Sequence, residues 1–201
     1  MEMRYRPEPI KPPFEPLETF FTRLKALYGR MDLNYQEVAT RYGFHCTGCE
    51  KSCCRTLFFH HTHIEYYYLL AGLAAADTKS QLKFRRRAAD VRRQCRSSVN
   101  DGAQPRIMCP LNEDGLCGLY AHRPMICRLH GLSHHFVRPD KKRVHGPGCW
   151  LFTAQFGRMA YVAFDRTPYY KELAGLESMF RAALHVAPQQ RLKLTIAQML
   201  V

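Results

Sequence analysis

The sequence lacks a long hydrophobic run. Its longest apolar stretch covers 11 residues, from Tyr66 to Ala76, whereas a membrane-spanning helix needs about 20. The first ten residues contain no apolar segment of the kind that begins a secretory signal peptide. We therefore expect a cytoplasmic protein without membrane contact. In that reducing compartment, clustered cysteines serve metal or redox chemistry more often than structural disulfides.

The common enzyme fingerprints are missing as well. The chain has no P-loop, no glycine-rich dinucleotide-binding turn, no G-x-S-x-G nucleophile elbow and no C-x3-C-x2-C motif of radical SAM enzymes. These absences leave open whether the protein is an enzyme.

The composition is that of a globular protein. Hydrophobic residues make up 46% and charged residues 23% of 201 residues, which suits one ordinary domain. Five prolines before position 17 predict an extended Pro-rich arm over residues 1–16. Residues 17–201 then form a single cysteine-cluster domain, whose motif core is 46–150.

Apolar periodicity predicts helices on both sides of this core. The spacing from Leu17 to Tyr28 predicts a helix that Gly29 ends, and a second short helix begins near Asn34 and ends near Gly43. Further predicted elements are a helix over 65–76 that begins with a Thr62–Glu65 capping box, a basic helix over 81–99, a hairpin over 133–145, a helix after Thr167-Pro168 and a final turn capped by Thr195 and Gln198. The predicted fold is a small, mainly α-helical, single-domain metalloprotein with an irregular cysteine-rich centre and one short β-hairpin.

Eight of the nine cysteines fall into two groups. In the first group the C-x2-C spacing can turn two sulfurs towards one ion. The neighbouring side chains of Cys53 and Cys54 are expected to point apart. The ninth cysteine, Cys95, lies on an apolar helical stripe and is expected to be a small core residue. The eight candidate ligands are Cys46, Cys49, Cys53, Cys54, Cys109, Cys117, Cys127 and Cys149.

Turns and a short helix are expected to present the second group. The turn over 112–115 can bring Cys109 and Cys117 together, and Pro124 can begin a helical turn that carries Cys127. Together with the first group, these sulfurs suffice for two four-thiolate sites or one larger cluster. A disulfide framework is the alternative, but no secretion signal supports it.

The joint pattern resembles the YkgJ-type cysteine-cluster family. The resemblance lies in Cys46 to Cys54, Cys109-Pro-Leu, Cys117-Gly-Leu-Tyr, Arg123-Pro and Cys127-Arg128. It covers about half of the chain, although three residues separate Cys49 and Cys53 where the family usually has two. It implies a zinc- or iron-chelating domain. A similar cysteine domain in flagellin lysine methylases suggests iron–sulfur chemistry, but nothing else in the chain matches a methylase.

Either an iron–sulfur cluster or Zn²⁺ fits four thiolates. We slightly favour the cluster, because of the resemblance and because nearby arginines would offset its negative charge. In one hypothesis the protein binds this metal centre and has a redox or group-transfer role. The residues expected to surround the metal ligands are Arg128, Tyr120, Arg123, His130 and His145.

The alternative is a structural-zinc protein that binds an acidic protein or a nucleic acid. The formal net charge is +13, and seven basic residues lie between Lys83 and Arg96 on the predicted helix 81–99. Such a face can follow a phosphate backbone. However, no recognition fold and no interleaved aromatic residues accompany it.

Overall fold

The structure is a computed structural model that describes residue 7 and the ranges 17–46, 53–100 and 106–201, without the side chains at 97–100. The described part is mainly α-helical, with seven α-helices and two small antiparallel two-stranded sheets. This confirms the mainly α-helical fold class predicted from the sequence. The predicted arm over 1–16 lies outside the described residues, apart from Pro7.

Helix α1 extends without a break from Glu18 to Tyr42. The prediction of two helices separated at Gly29 is therefore wrong. Tyr28 and Met31, on the two sides of this glycine, are both buried, and their packing outweighs the helix penalty of about 1 kcal/mol that a glycine imposes. The helix ends instead at Gly43, whose φ of 71° lies in the left-handed region that favours glycine.

Helix α2 (His63–Ala75) has most of its length in the core. The predicted capping box does not form, because the Thr62 hydroxyl donates to Oε2 of Glu65 at 2.6 Å rather than accepting from the backbone. The carboxylate of Glu177 instead accepts from the first two backbone N–H groups of the helix, at 2.9 and 3.0 Å. A residue distant in sequence thus caps this helix.

Two more long helices complete the helical shell. Helix α3 (Thr78–Asn100) packs on α7 (Ile196–Leu200), and α6 (Thr167–Ala183) packs on α1 and α2. The predicted capping box at the start of α7 is present. The buried side chains are Phe84, Ala88 and Val91 on α3 and Leu173, Leu176 and Phe180 on α6.

Short elements form the centre of the chain between α3 and α6. Strands β1 (Asn112–Glu113) and β2 (Leu116–Cys117) form one hairpin, followed by α4 (Met125–Leu129), which packs on α1. Strands β3 (His134–Val137) and β4 (Arg143–Gly146) form the hairpin predicted over 133–145, and α5 (Trp150–Phe156) follows it. The paired residues include Asn112 with Cys117 in the first sheet, and His134 with Gly146 and Val137 with Arg143 at the ends of the second.

Candidate functional site

Six of the nine cysteines line one cavity of about 870 Å³. They come from the loop after α1, the turn before α2, the β1–β2 hairpin and α4, so four separate parts of the chain contribute sulfur. We call this space the cysteine cavity. Its cysteines are Cys46, Cys53, Cys54, Cys109, Cys117 and Cys127.

Cys53 and Cys54 lie in a 3-10 turn, Cys53–Arg55. Their thiols hydrogen-bond to each other, and both side chains line the cysteine cavity. The expectation that they point apart is therefore wrong, since both side chains face the same cavity. The hydrogen bond to Cys54, followed by burial, raises the pKa of the Cys53 thiol.

The two cysteine groups are joined through the backbone. The N–H of Cys109 donates to the carbonyl oxygen of Cys54 at 2.8 Å. A turn then closes where the N–H of Asn112 donates to the carbonyl oxygen of Cys109 at 3.0 Å, and Asn112 pairs with Cys117 across the hairpin. This hairpin confirms the predicted turn that brings Cys109 and Cys117 together.

Burial and a nearby backbone N–H group have opposite effects on the pKa of Cys109 and of Cys117. Burial raises the pKa of the Cys109 thiol to about 12, but the Leu111 N–H acts in the opposite direction. Burial likewise raises the pKa of Cys117, and the Leu119 N–H opposes it. A hydrogen bond donated to sulfur favours the thiolate, which is the form that binds metal.

Cys127 is presented by α4, whose N-terminal flanking residue is Pro124, as predicted. Burial raises the pKa of its thiol, and nearby Cys109 and Cys117 raise it further. Like charges this close disfavour one another. Ionisation of several of these thiols together therefore requires positive charge beside them.

The other predicted ligands have different positions. Cys49 lies outside the described residues. Cys149 does not line the cavity; its sulfur accepts from the Phe152 N–H at 3.4 Å at the start of α5. Cys95 is partly buried and packs against the core, as expected. All eight described cysteines are free thiols.

Arg128 lines the cavity, but its guanidinium donates hydrogen bonds to other groups of the protein. It is 6% exposed, and its guanidinium donates to Asp32 at 2.6 Å and to the carbonyl oxygens of Arg123 and Ala121. It also lies 4.1 Å from the centre of the Tyr28 ring. These contacts connect α4 to α1.

Three further predicted residues divide between the cavity and the β3–β4 hairpin. Tyr120 and His130 line the cavity, and the ring of His130 lies 5.2 Å from that of Phe58. Burial lowers the pKa of His130. His145 does not line the cavity; it lies on β4, where its ring is 5.6 Å from that of Tyr161.

His60 is a cavity residue that the sequence did not single out. It is 3% exposed, and its Nε2 has no hydrogen-bond partner in the part of the chain that the structure describes. Its backbone pairs with Leu194. Burial lowers its pKa to about 4, so the ring is neutral at pH 7. No local signal could reveal this, because its burial depends on the C-terminal segment.

The basic face of α3 is partly engaged within the protein. Lys83 pairs with Glu113, Arg87 donates to the carbonyl oxygen of Asn112, and two more arginines reach the carbonyl oxygens of Leu200 and Val201. Arg93 also pairs with Asp90 on the same helix, so five of the seven basic residues bind groups of the same chain. Among the described residues, no helix is long and apolar enough to cross a membrane.

The described side chains of the cavity are not preassembled around a metal ion. Across residues 17–46, 53–100 and 106–201, no group of three or more His, Cys, Asp or Glu side chains is arranged to hold a metal ion as it stands. Comparison with protein-family models, curated proteins and solved structures gives no match. The resemblance to the YkgJ-type family therefore remains a prediction.

Proposed function

We propose that the cysteine cavity binds a metal centre, either an iron–sulfur cluster or zinc. The observation that supports this most is the meeting of six cysteines from four parts of the chain in one cavity. Thiolates are the soft ligands that both centres prefer. A chance grouping of small buried residues would not require cysteine from each of these segments.

The ligands would come from the six cavity cysteines, and Cys49 remains a further candidate from the sequence alone. The thiols do not converge on one point as they stand, so binding requires some of them to turn about their single side-chain torsion. An iron–sulfur cluster would supply electron transfer or a substrate-binding iron, whereas zinc would join the four segments structurally.

Two arginines reduce the electrostatic cost of thiolates in the cavity, where burial raises the pKa of the cysteines. Two guanidinium groups, those of Arg123 and Arg128, oppose the burial that raises the pKa of Cys117. Their positive charge would offset part of the negative charge that several thiolates bring. We therefore propose a redox or group-transfer role if the centre contains iron, and a structural role if it is zinc.

The acidic-partner hypothesis has less support. The basic residues of α3 that bind Glu113 and backbone carbonyls are already engaged within the fold. An electrophoretic mobility-shift assay with RNA and DNA at increasing salt concentration tests whether the other basic residues bind nucleic acid. Phosphate contacts weaken steeply as the salt concentration rises.

Anaerobic purification with iron, zinc and acid-labile sulfide analysis tests the metal proposal. We expect either a brown protein with iron and sulfide or a colourless protein with stoichiometric zinc. Cys117→Ser should lower the metal content, and Cys95→Ser, outside the cavity, should not. Metal-free wild-type protein, or equal metal in both variants, would contradict the proposal.

A further inference from the structure

The cysteine cavity is larger than a metal centre needs. Its volume of about 870 Å³ lies in the range of about 300–1,000 Å³ typical of small-molecule sites. Beyond the sulfurs, the wall contains both apolar side chains and polar or charged groups. The apolar part includes Phe44, Leu57, Phe58, Ile107, Leu111 and Ile196.

Arg123 and Arg128 differ in how far the fold uses them. Arg128 directs its guanidinium to a carboxylate and two backbone carbonyls. Arg123 has only a loose ion pair, with Nη2 3.6 Å from Oδ1 of Asp32, and its Nε has no hydrogen-bond partner among the described residues. Of these two cavity arginines, Arg123 therefore has the greater unused capacity to donate.

The position of Arg123 suits contact with a ligand. Its guanidinium lies 3.8 Å from the centre of the exposed Tyr120 ring, within the distance of a cation–π contact. Its charge acts on Cys117, at the sulfur-lined part of the cavity, and on Tyr35, another lining residue. A group bound to Arg123 would thus lie close to the cysteines.

The charges around Arg123 favour an anion. Two carboxylates also line the cavity, Asp32 and Asp114. Asp32 is held by Arg128 at 2.6 Å, and Asp114 is exposed in the β1–β2 turn, where solvent screens it. Arg123 and Arg128 thus share one carboxylate, which leaves a net positive charge beside Arg123. A planar guanidinium binds carboxylate and phosphate oxygens through paired hydrogen bonds.

We infer that the cysteine cavity binds a small molecule whose carboxylate or phosphate group contacts Arg123 and whose apolar body lies against the cavity wall. Its role as a substrate rests on the proposed metal centre, whereas the binding itself requires only Arg123 and the wall.

Calorimetry with three probes of similar size tests the inference: benzoate, phenyl phosphate and uncharged benzamide. The two anions should bind at least about tenfold more tightly than benzamide, because a hydrogen bond to a charged group contributes that much. Stronger binding of benzoate than of phenyl phosphate would identify the ligand group as a carboxylate, and the reverse would identify a phosphate.

Variants locate the anion. Arg123→Gln should weaken binding of the preferred anion at least about tenfold, and Arg123→Lys should fall between this variant and wild type, since it keeps the charge without the planar fork. The control is Arg138→Gln, a change at an exposed arginine outside the cavity. It should bind as wild type does. Circular dichroism checks that each variant is folded. If Arg123→Gln does not fold, the weaker anion binding expected of Arg123→Lys tests the inference instead.

Three results would overturn the inference: no anion binding by wild type, equal binding of benzamide, or unchanged anion affinity in the Arg123 variants. The last would mean that the anion binds elsewhere, for instance at a metal. Metal analysis of the same samples separates the two proposals. Anion binding by metal-free protein would support the Arg123 site and contradict the metal centre. Metal-loaded protein that does not bind the anions would support the metal centre and contradict the Arg123 site.

Discussion

The guanidinium of Arg128 donates to Oδ2 of Asp32 at 2.6 Å. This contact holds α4, which carries Cys127, against the middle of α1. Arg128 is buried, while Asp32 is 42% exposed. Asp32 therefore stabilises a buried positive charge. Substitutions of Asp32 and of Arg128 should lower the free energy of unfolding by different amounts.

Replacing Asp32 by Asn should lower the free energy of unfolding by about 1–3 kcal/mol, because the buried guanidinium loses its counter-charge. Arg128→Met should cost about 3 kcal/mol or more, since the carbonyl oxygen of Arg123 also loses its donor and the contact with the Tyr28 ring is lost. Urea unfolding measures both. Arg138→Met, which breaks an exposed pair with 3.9 Å between the charged atoms, should change stability by less than about 0.5 kcal/mol. Equal effects at Arg128 and Arg138 would contradict this role.

Cys149→Ser should leave the metal content unchanged. The sulfur of Cys149 caps α5 by accepting from the Phe152 N–H, and serine is a better N-cap than most residues. We therefore expect the thermal midpoint to stay the same or rise slightly. Metal analysis of Cys149→Ser and Cys117→Ser in parallel checks that Cys149 is not a metal ligand. A loss of metal in Cys149→Ser would show that Cys149 is a ligand, as the sequence predicted.

Stability should fall below neutral pH because of His60. Burial lowers its pKa from 6.5 to about 4. Between these values the unfolded chain binds a proton that the folded protein does not, so the free energy of unfolding decreases as the pH falls from about 6.5 towards 4. Above 6.5 the ring is neutral in both states, and its effect on the pH dependence disappears.

Urea unfolding at pH 7.5 and 4.5 measures this effect. His60→Gln should show a shallower loss of stability than wild type, with a difference on the order of 2–3 kcal/mol. His145→Gln is the control, because His145 is exposed on β4. If His60→Gln retained the full pH dependence of wild type, other groups would have to cause it.

Gly29→Ala tests the unbroken helix α1. A methyl group at this position would contact nothing within 4 Å, so alanine should raise the free energy of unfolding by about 0.5–1 kcal/mol. Gly118→Ala should act in the opposite direction by about 1–3 kcal/mol, because its methyl group would overlap the Phe84 ring. Chemical denaturation compares the two. Destabilisation by Gly29→Ala would indicate that α1 is interrupted there.

The sequence predicted the elements that depend on neighbouring residues. The β3–β4 hairpin, the turn between Cys109 and Cys117, and the capping box before α7 all form as expected. Their signals lie within a few positions of one another, where turn and cap preferences act directly. The fold class followed from these elements and from the helical periodicity.

Where distant residues compete with local signals, the predictions failed. Gly29 is a local helix stop, but burial of Tyr28 and Met31 carries α1 past it. Thr62 and Glu65 match a capping box, yet Glu177 caps the helix. Tertiary packing contributes more free energy than one glycine or one cap, and it is not visible in a short window of sequence.

The amino-acid sequence alone determined the number, spacing and soft chemistry of the cysteines, together with most of the helices. Only the tertiary structure decided which sulfurs share a cavity, and it left Cys149 outside the cavity that six other cysteines line. It also showed that Arg128 is used by the fold while Arg123 retains donors. The physical reason is that burial and hydrogen-bond partners depend on which segments pack together, and a motif does not specify those contacts.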